Sequence, residues 1–244
     1  MSRLRAYAWW LMVALLSPLL VPLAIRTRRR TLRLPPAEGP RRGLAGADQA
    51  GEPLRLLLLG ESTVVGVGVS CLRAALVGQL AEALAVRHAR PVAWRACGEN
   101  GITAVQARER LLPQVLDESF DLVLLVFGVN DTSHVTSLRH WQTALGDMAE
   151  ALARDGARVA FCSVPPLQHL SALPWLLRRV LGMRAALLDA SLRRLADRLG
   201  AGHHSATLEF SADYLALDGY HPSSLGYRVW AESLAVNGLL GRFD

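Results

Sequence analysis

The sequence predicts an α/β fold, a doubly wound parallel sheet with helices on both faces, and three observations predict it. From Leu54 onward, strand-like and helix-like patterns alternate almost to the C-terminus. Two of the strand candidates, Leu56 to Leu59 and Leu122 to Phe127, are apolar at every position, as central strands buried on both faces must be. Each runs directly into a short glycine-containing piece, Gly60-Glu61-Ser62 and Gly128-Val129-Asn130-Asp131. These pieces fall at strand carboxyl ends, where sheets of this kind bind ligands.

The elements follow in order. Leu54 to Leu59 is the first strand, and Leu72 to His88 a helix with Leu72, Leu76, Leu80 and Leu84 recurring every fourth residue. Val92 to Cys97 is the second strand, and Ala104 to Leu112 a helix stopped by Pro113. Leu122 to Phe127 is the third strand, followed by a helix over Leu138 to Ala153. Val159 to Ser163 is a fourth strand, ended by Pro165-Pro166. Arg184 to Leu199 reads as helix, Thr207 to Phe210 as a weak fifth strand, and Ser224 to Ala235 as the closing helix.

Ahead of this body lies a different kind of chain. Ala6 to Ile25 is an uncharged stretch of twenty residues, long enough to cross a hydrocarbon core as a helix. Tyr7, Trp9 and Trp10 stand at one end, where amphipathic rings favour the interface, and Arg26, Arg28, Arg29 and Arg30 follow at the other. A cleaved signal peptide is the competing reading, with Arg3 and Arg5 as its basic start. The apolar run is long for that, and no A-x-A-like cleavage site precedes the arginines. Residues 1–30 are therefore read as a membrane anchor with a basic flank, leaving a re-entrant or interfacial helix open because of Pro18 and Pro22. The greater number of arginines after the segment predicts the C-terminal domain in the cytoplasm, at the inner or plasma membrane; export after cleavage is the alternative. Residues 31–53, rich in Pro, Gly, Ala and Arg without period, read as a poorly ordered linker, and residues 54–244 as the globular domain.

Charge and composition exclude several functions. Residues 1–55 carry ten arginines against three acids, net +7, so the overall +6 leaves residues 56–244 at −1. The basic footprint sits on the leader and not on the folded body, which counts against a nucleic-acid partner. Every one of the 27 basic residues is arginine, so a phosphate-binding G-x-x-x-x-G-K-[ST] loop is impossible. Gly60, Gly66 and Gly68 do not make G-x-G-x-x-G, and Val64 stands where the last glycine of G-x-S-x-G belongs. Cys71, Cys97 and Cys162 form an odd set without metal spacing, and the seven histidines show no H-x-x-x-H pattern. No metal site is expected, and the cysteines read as buried free thiols.

What remains is the inventory of acyl transfer. Ser62 is a hydroxyl just past a buried strand, although a serine there also serves as a helix cap. Asp218-Gly219-Tyr220-His221 puts a carboxylate three residues before an imidazole, with Pro222-Ser223 leading into a helix directly after. A loop can fold Asp218 back onto the imidazole Nδ1–H and leave Nε2 facing a serine. Asn130 can stabilise a turn or donate its side-chain amide to a developing oxyanion. Gly101, in Gly98-Glu99-Asn100-Gly101, can add a backbone N–H with no side chain in the way.

On these residues the chain resembles the SGNH (GDSL-type) serine hydrolases, over nearly all of the stretch from Leu54 to the C-terminus. The nucleophile block, usually Gly-Asp-Ser, corresponds to Gly60-Glu61-Ser62, and the glycine block to Gly101. The Gly-x-Asn-Asp block corresponds to Gly128 to Asp131, and the Asp-x-x-His block to Asp218 to His221. The resemblance implies a flavodoxin-like, three-layer α/β/α sheet. It also implies Ser62 as nucleophile, His221 as base and Asp218 as its orienter, with an oxyanion hole of Ser62 N–H, Gly101 N–H and the Asn130 amide. Glu61 departs from the usual Asp by one methylene beside the nucleophile.

The expected activity is hydrolysis of carboxylic esters, on an ester-containing small molecule or a lipid, with no cofactor. Deacetylation of O-acetyl sugars and phospholipid-type acyl hydrolysis differ from it in the pocket and not in the catalytic groups. A membrane-tethered binding protein without turnover is the rival from another class. Pro165 to Met183 is a largely apolar insertion, read either as a short packed helix or as a wall of the acyl pocket. The pocket reading assigns Glu61, Val129, Leu170 and Trp175 to substrate contact, with Leu173 and Leu176 beside them.

Overall fold

The computed structural model describes residues 2–205 and 211–236. The chain opens with helix α1, Ser2–Arg30, then strand β1, Arg42–Ala45, and strand β2, Leu54–Gly60. Helix α2 (Leu76–His88), strand β3 (Val92–Gly98) and helix α3 (Ala104–Arg110) follow. Strand β4 (Leu122–Val126), the short helix α4 (Val129–Ser133), helix α5 (Leu138–Ala153) and strand β5 (Arg158–Cys162) come next. Helix α6 (Trp175–Leu199), strand β6 (Gly202–His204) and helix α7 (Ser224–Val236) complete the described chain.

The six strands form one sheet in the order β1-β3-β2-β4-β5-β6. β1 is antiparallel to β3, and all other pairs are parallel. After β3 the chain returns to the other side of β2, so the direction of winding reverses there. The crevice created by that reversal lies at the carboxyl ends of β2, β3 and β4.

Alternation along each strand divides the core into two layers. Leu54, Leu56 and Leu58 face α2 and α7, packing with Leu76, Leu80, Tyr227 and Trp230. Leu57 and Leu59 face the opposite layer, where α3, α5 and α6 contribute Ala107, Trp141, Met148 and Leu188. Leu56 to Leu59 are each 0% exposed, as strands covered on both faces require. Local signals close the helices. Thr103 caps α3 in a reciprocal box with Gln106, Ser137 caps α5, and Gly200 ends α6 at φ 63°.

Three sequence expectations are corrected here. Residues 31–53 are not a structureless linker, because Arg42–Ala45 pairs with β3 and Glu38 bridges to Cys71. Gly43 makes the pairing possible: a Cβ there would lie 2.3 Å from the Trp94 ring. The insertion Pro165 to Met183 contributes the first turns of α6, residues 175–183, because that helix starts at Trp175 and not at Arg184. Cys97 and Cys162 are buried free thiols, whereas Cys71 is exposed. The proposed strand Thr207 to Phe210 lies outside the described residues; the last strand seen is Gly202–His204.

α1 is apolar and long enough to cross a membrane. It lies along α6, with buried Trp9 and Leu20 against Leu177 and Val180. The Trp9 indole N–H donates to the Val180 carbonyl at 3.0 Å, and the Arg184 guanidinium stacks 5.0 Å from the Trp9 ring. Its other side exposes Leu11, Leu15 and Leu19.

Candidate active site

Gly60 ends β2 where no other residue fits, since a Cβ would lie 2.2 Å from the Val126 carbonyl oxygen. The chain then turns sharply. Val64 N–H donates to Glu61 O at 3.0 Å, and Val67 N–H to Ser62 O at 3.1 Å. Tyr227 of α7, wholly buried, pins the far side of this turn by donating its hydroxyl to Val67 O at 2.7 Å. Ser62 is held in the turn at 7% exposure.

The turn ends against the segment bearing the imidazole. At Gly68, φ 105°, an added Cβ would meet Pro222 O at 2.5 Å and the His221 Cβ at 3.3 Å. Asp218 organises that segment. Its Oδ1 accepts from Tyr220 N–H at 2.9 Å and His221 N–H at 3.0 Å, and its Oδ2 lies 2.6 Å from His221 Nδ1. Burial works to raise the Asp218 carboxyl, but the bonds from His221 and the two backbone N–H groups outweigh it and hold it below the ordinary carboxylate range. An ionised carboxylate only accepts, so Nδ1 carries a proton and Nε2 is the ring nitrogen left free of Asp218.

Asn130 stands on the first turn of α4. Glu61 reaches it from across the crevice: Oε1 accepts from Val129 N–H at 3.0 Å, and Oε2 accepts from Asn130 N–H at 3.0 Å and Asn130 Nδ2 at 2.7 Å. One amide hydrogen of Asn130 is thereby fixed, and the geometry of the NH2 group fixes the other. Glu61 is 3% exposed, and burial pushes its carboxyl up to about 7 even against these three donors. The neighbouring Asp131 is fully buried and accepts from Ala104 N–H at 3.0 Å, tying α4 to the start of α3. Burial raises its carboxyl as well.

Gly101 follows β3 at φ 86°, with open space where a side chain would stand. Gly101, Asn130, Asp218 and His221 all line one cavity of about 840 Å³. Its apolar side is Leu173, Leu177 and Leu181, and the end of α1 and residues 31–34 line another part of it.

The pocket assignments need correction. Leu170 is a core residue at 4% exposure, packed with Leu167 and Leu188. Trp175 is 62% exposed at the start of α6 and does not line the cavity. Val129 packs against the core, and Glu61 spends its carboxylate on α4. Of the insertion's residues singled out in the sequence, Leu173 is the one that lines the cavity. The hold of Glu61 on Asn130 was hidden because it joins residues 69 positions apart. An acid at the Asp position of the nucleophile block was the available signal.

The model of the GDSL-like lipase/acylhydrolase family matches residues 58–229, well over half of the chain. The chain belongs to that family. This GDSL-like hydrolase is accordingly a carboxylic ester hydrolase by class. No curated protein sequence matches it. Solved structures share its fold at low identity. A lipase/acylhydrolase from Enterococcus faecalis is 20% identical, with TM-score 0.61, covering 76% of this chain and 95% of its own. The inhibitor-bound aryl esterase of M. smegmatis is 19% identical, with TM-score 0.60, covering 77% and 100%. A carbohydrate acetylesterase from Sinorhizobium meliloti is 16% identical, with TM-score 0.56, covering 75% and 97%.

Proposed function

We propose that this GDSL-like hydrolase cleaves acyl esters through an acyl-enzyme on Ser62. The Ser62 hydroxyl attacks the ester carbonyl while His221 Nε2 takes its proton. The carbonyl electrons move onto oxygen, where the N–H groups of Ser62 and Gly101 and the free amide hydrogen of Asn130 receive them. As the tetrahedral adduct collapses, the imidazolium returns the proton to the departing alcohol. Water then repeats the sequence and frees the acid. Asp218 keeps the imidazole in the required tautomer and stabilises its charged form.

The observation that carries this reading is the 2.6 Å contact of Asp218 Oδ2 with His221 Nδ1. It commits one ring nitrogen and leaves the other for proton transfer. The test is release of p-nitrophenol from p-nitrophenyl butyrate by wild type and Ser62→Ala. Equal rates from the two proteins contradict the reading.

We further propose that α1 is retained and holds the enzyme at a membrane, with the catalytic domain in the cytoplasm. Support comes from the cavity, because the end of α1 contributes part of its wall. Cleavage as a signal peptide would remove that wall. An alkaline phosphatase fusion after residue 55 that is active outside the membrane contradicts the orientation.

A further inference from the structure

The cavity beside His221 is not built by the family domain alone. Ile25, Arg28, Leu32 and Arg33 line it from the N-terminal side, all ahead of the family-matched residues 58–229. Ile25, Arg28, Leu32 and Arg33 are exposed, and α1 docks on α6 through Trp9 and Leu20.

The wall brings charge. Arg28 and Arg33 make no salt bridge to any carboxylate among the described residues. The one acid lining the cavity is Asp218, whose two oxygens are taken by Tyr220, His221 N–H and His221 Nδ1. Arg28 and Arg33 therefore bring two positive charges to a cavity whose one acid among the described lining residues is already engaged. The same cavity is lined by an apolar strip of Leu173, just before α6, and Leu177 and Leu181 on it. The arginines follow the end of the apolar stretch of α1, which is long and apolar enough to cross a bilayer.

We propose that the substrate is an acyl ester carried by an anionic amphiphile of the membrane. Its acyl chain lies along the α6 strip, and its anionic group is held by Arg28 and Arg33. The proposal rests on the catalytic reading above, and it makes the segment before the family domain a determinant of specificity. Guanidinium groups bind phosphate-type oxygens in a fork geometry that suits this role.

The test uses the full-length chain in neutral detergent micelles with three substrates. These are palmitoyl lysophosphatidylglycerol, palmitoyl lysophosphatidylcholine and p-nitrophenyl butyrate. The first two share an acyl chain and differ in headgroup charge, so the ratio of their kcat/KM values is independent of enzyme amount and folded fraction. The wild type should prefer the anionic lipid by about tenfold. Arg28→Ala/Arg33→Ala should bring the ratio near one, and Arg28→Lys/Arg33→Lys should keep most of it. Raising salt from about 0.05 M to about 0.5 M should weaken the wild-type preference, because exposed charges are screened. A wild-type ratio near one, or a ratio that neither the alanine variant nor salt alters, overturns the proposal. Turnover of p-nitrophenyl butyrate without turnover of either lipid also overturns it and leaves the catalytic reading standing. Turnover of none of the three overturns both.

Discussion

Glu61 Oε2 accepts the Asn130 side-chain amide at 2.7 Å and the Asn130 backbone N–H at 3.0 Å. The residue before the proposed nucleophile thus aims the proposed oxyanion donor. Its carboxylate spans from the β2 turn to the first turn of α4. Its buried position makes this link sensitive to charge.

Glu61→Gln should lower kcat/KM through that link. Whichever way the new amide turns, one of its ends presents N–H to Val129 N–H or to the two Asn130 donors. A buried donor left unpaired costs about 2 kcal/mol, or about thirtyfold in rate if it is lost from the transition state. The defect should also depend on pH. The Glu61 carboxyl is held at about 7, so its ionised form is lost as pH falls through neutrality. The ratio of wild-type to Glu61→Gln activity should then shrink between pH 8 and pH 6.

The same group makes a stability prediction with a definite sign. A carboxyl whose folded pKa is raised binds more protons folded than unfolded between the ordinary carboxylate range and about 7. Stability from this site therefore falls as pH rises across that window, by about 3 kcal/mol. Urea unfolding at pH 5 and pH 8 should show this difference in wild type and lose it in Glu61→Gln.

Asp218→Asn should be far more damaging than its size suggests. The two backbone N–H groups at Oδ1 select the oxygen end of the new amide there, which turns its NH2 toward His221 Nδ1. Nδ1 must then accept, and the proton moves to Nε2, the nitrogen meant to take it from Ser62. A loss of about 10³- to 10⁴-fold in kcat is expected with the fold intact by circular dichroism. A loss under about tenfold contradicts the tautomer argument.

Asn130→Ala removes one donor without touching the proton-transfer line. It should lower kcat by about 10²- to 10³-fold and leave KM nearly unchanged, because the interaction forms as charge develops. A rise in KM at constant kcat would assign Asn130 to ground-state binding instead.

Gly60→Ala tests the strand end. The added methyl would meet the Val126 carbonyl oxygen at 2.2 Å, and backbone cannot yield as a side chain can. Loss of soluble, folded protein is expected, where Gly101→Ala, with open space around it, should cost only the strain of its φ of 86°.

The order of elements was legible because local pattern decides it. Leu56 to Leu59 could hardly be anything but a strand covered on both sides, and Asp218 stands three residues before His221 in the chain itself. Residues 42–45 were missed because an edge strand of Arg-Gly-Leu-Ala has no period, and its place depends on Gly43 clearing the Trp94 ring. Leu170 and Trp175 were misjudged for a related reason. Apolar residues in an insertion declare burial or exposure only once α6 has been set against the sheet. The cavity wall from α1 was beyond reach, since it depends on a helix far from the family domain docking beside it.

The most direct measurement of the central claim is active-site labelling with a fluorophosphonate, followed by peptide mapping. The account predicts one labelled peptide carrying the adduct on Ser62, and no labelling in Ser62→Ala or His221→Ala. An adduct on another serine, or full labelling of Ser62→Ala, would contradict it.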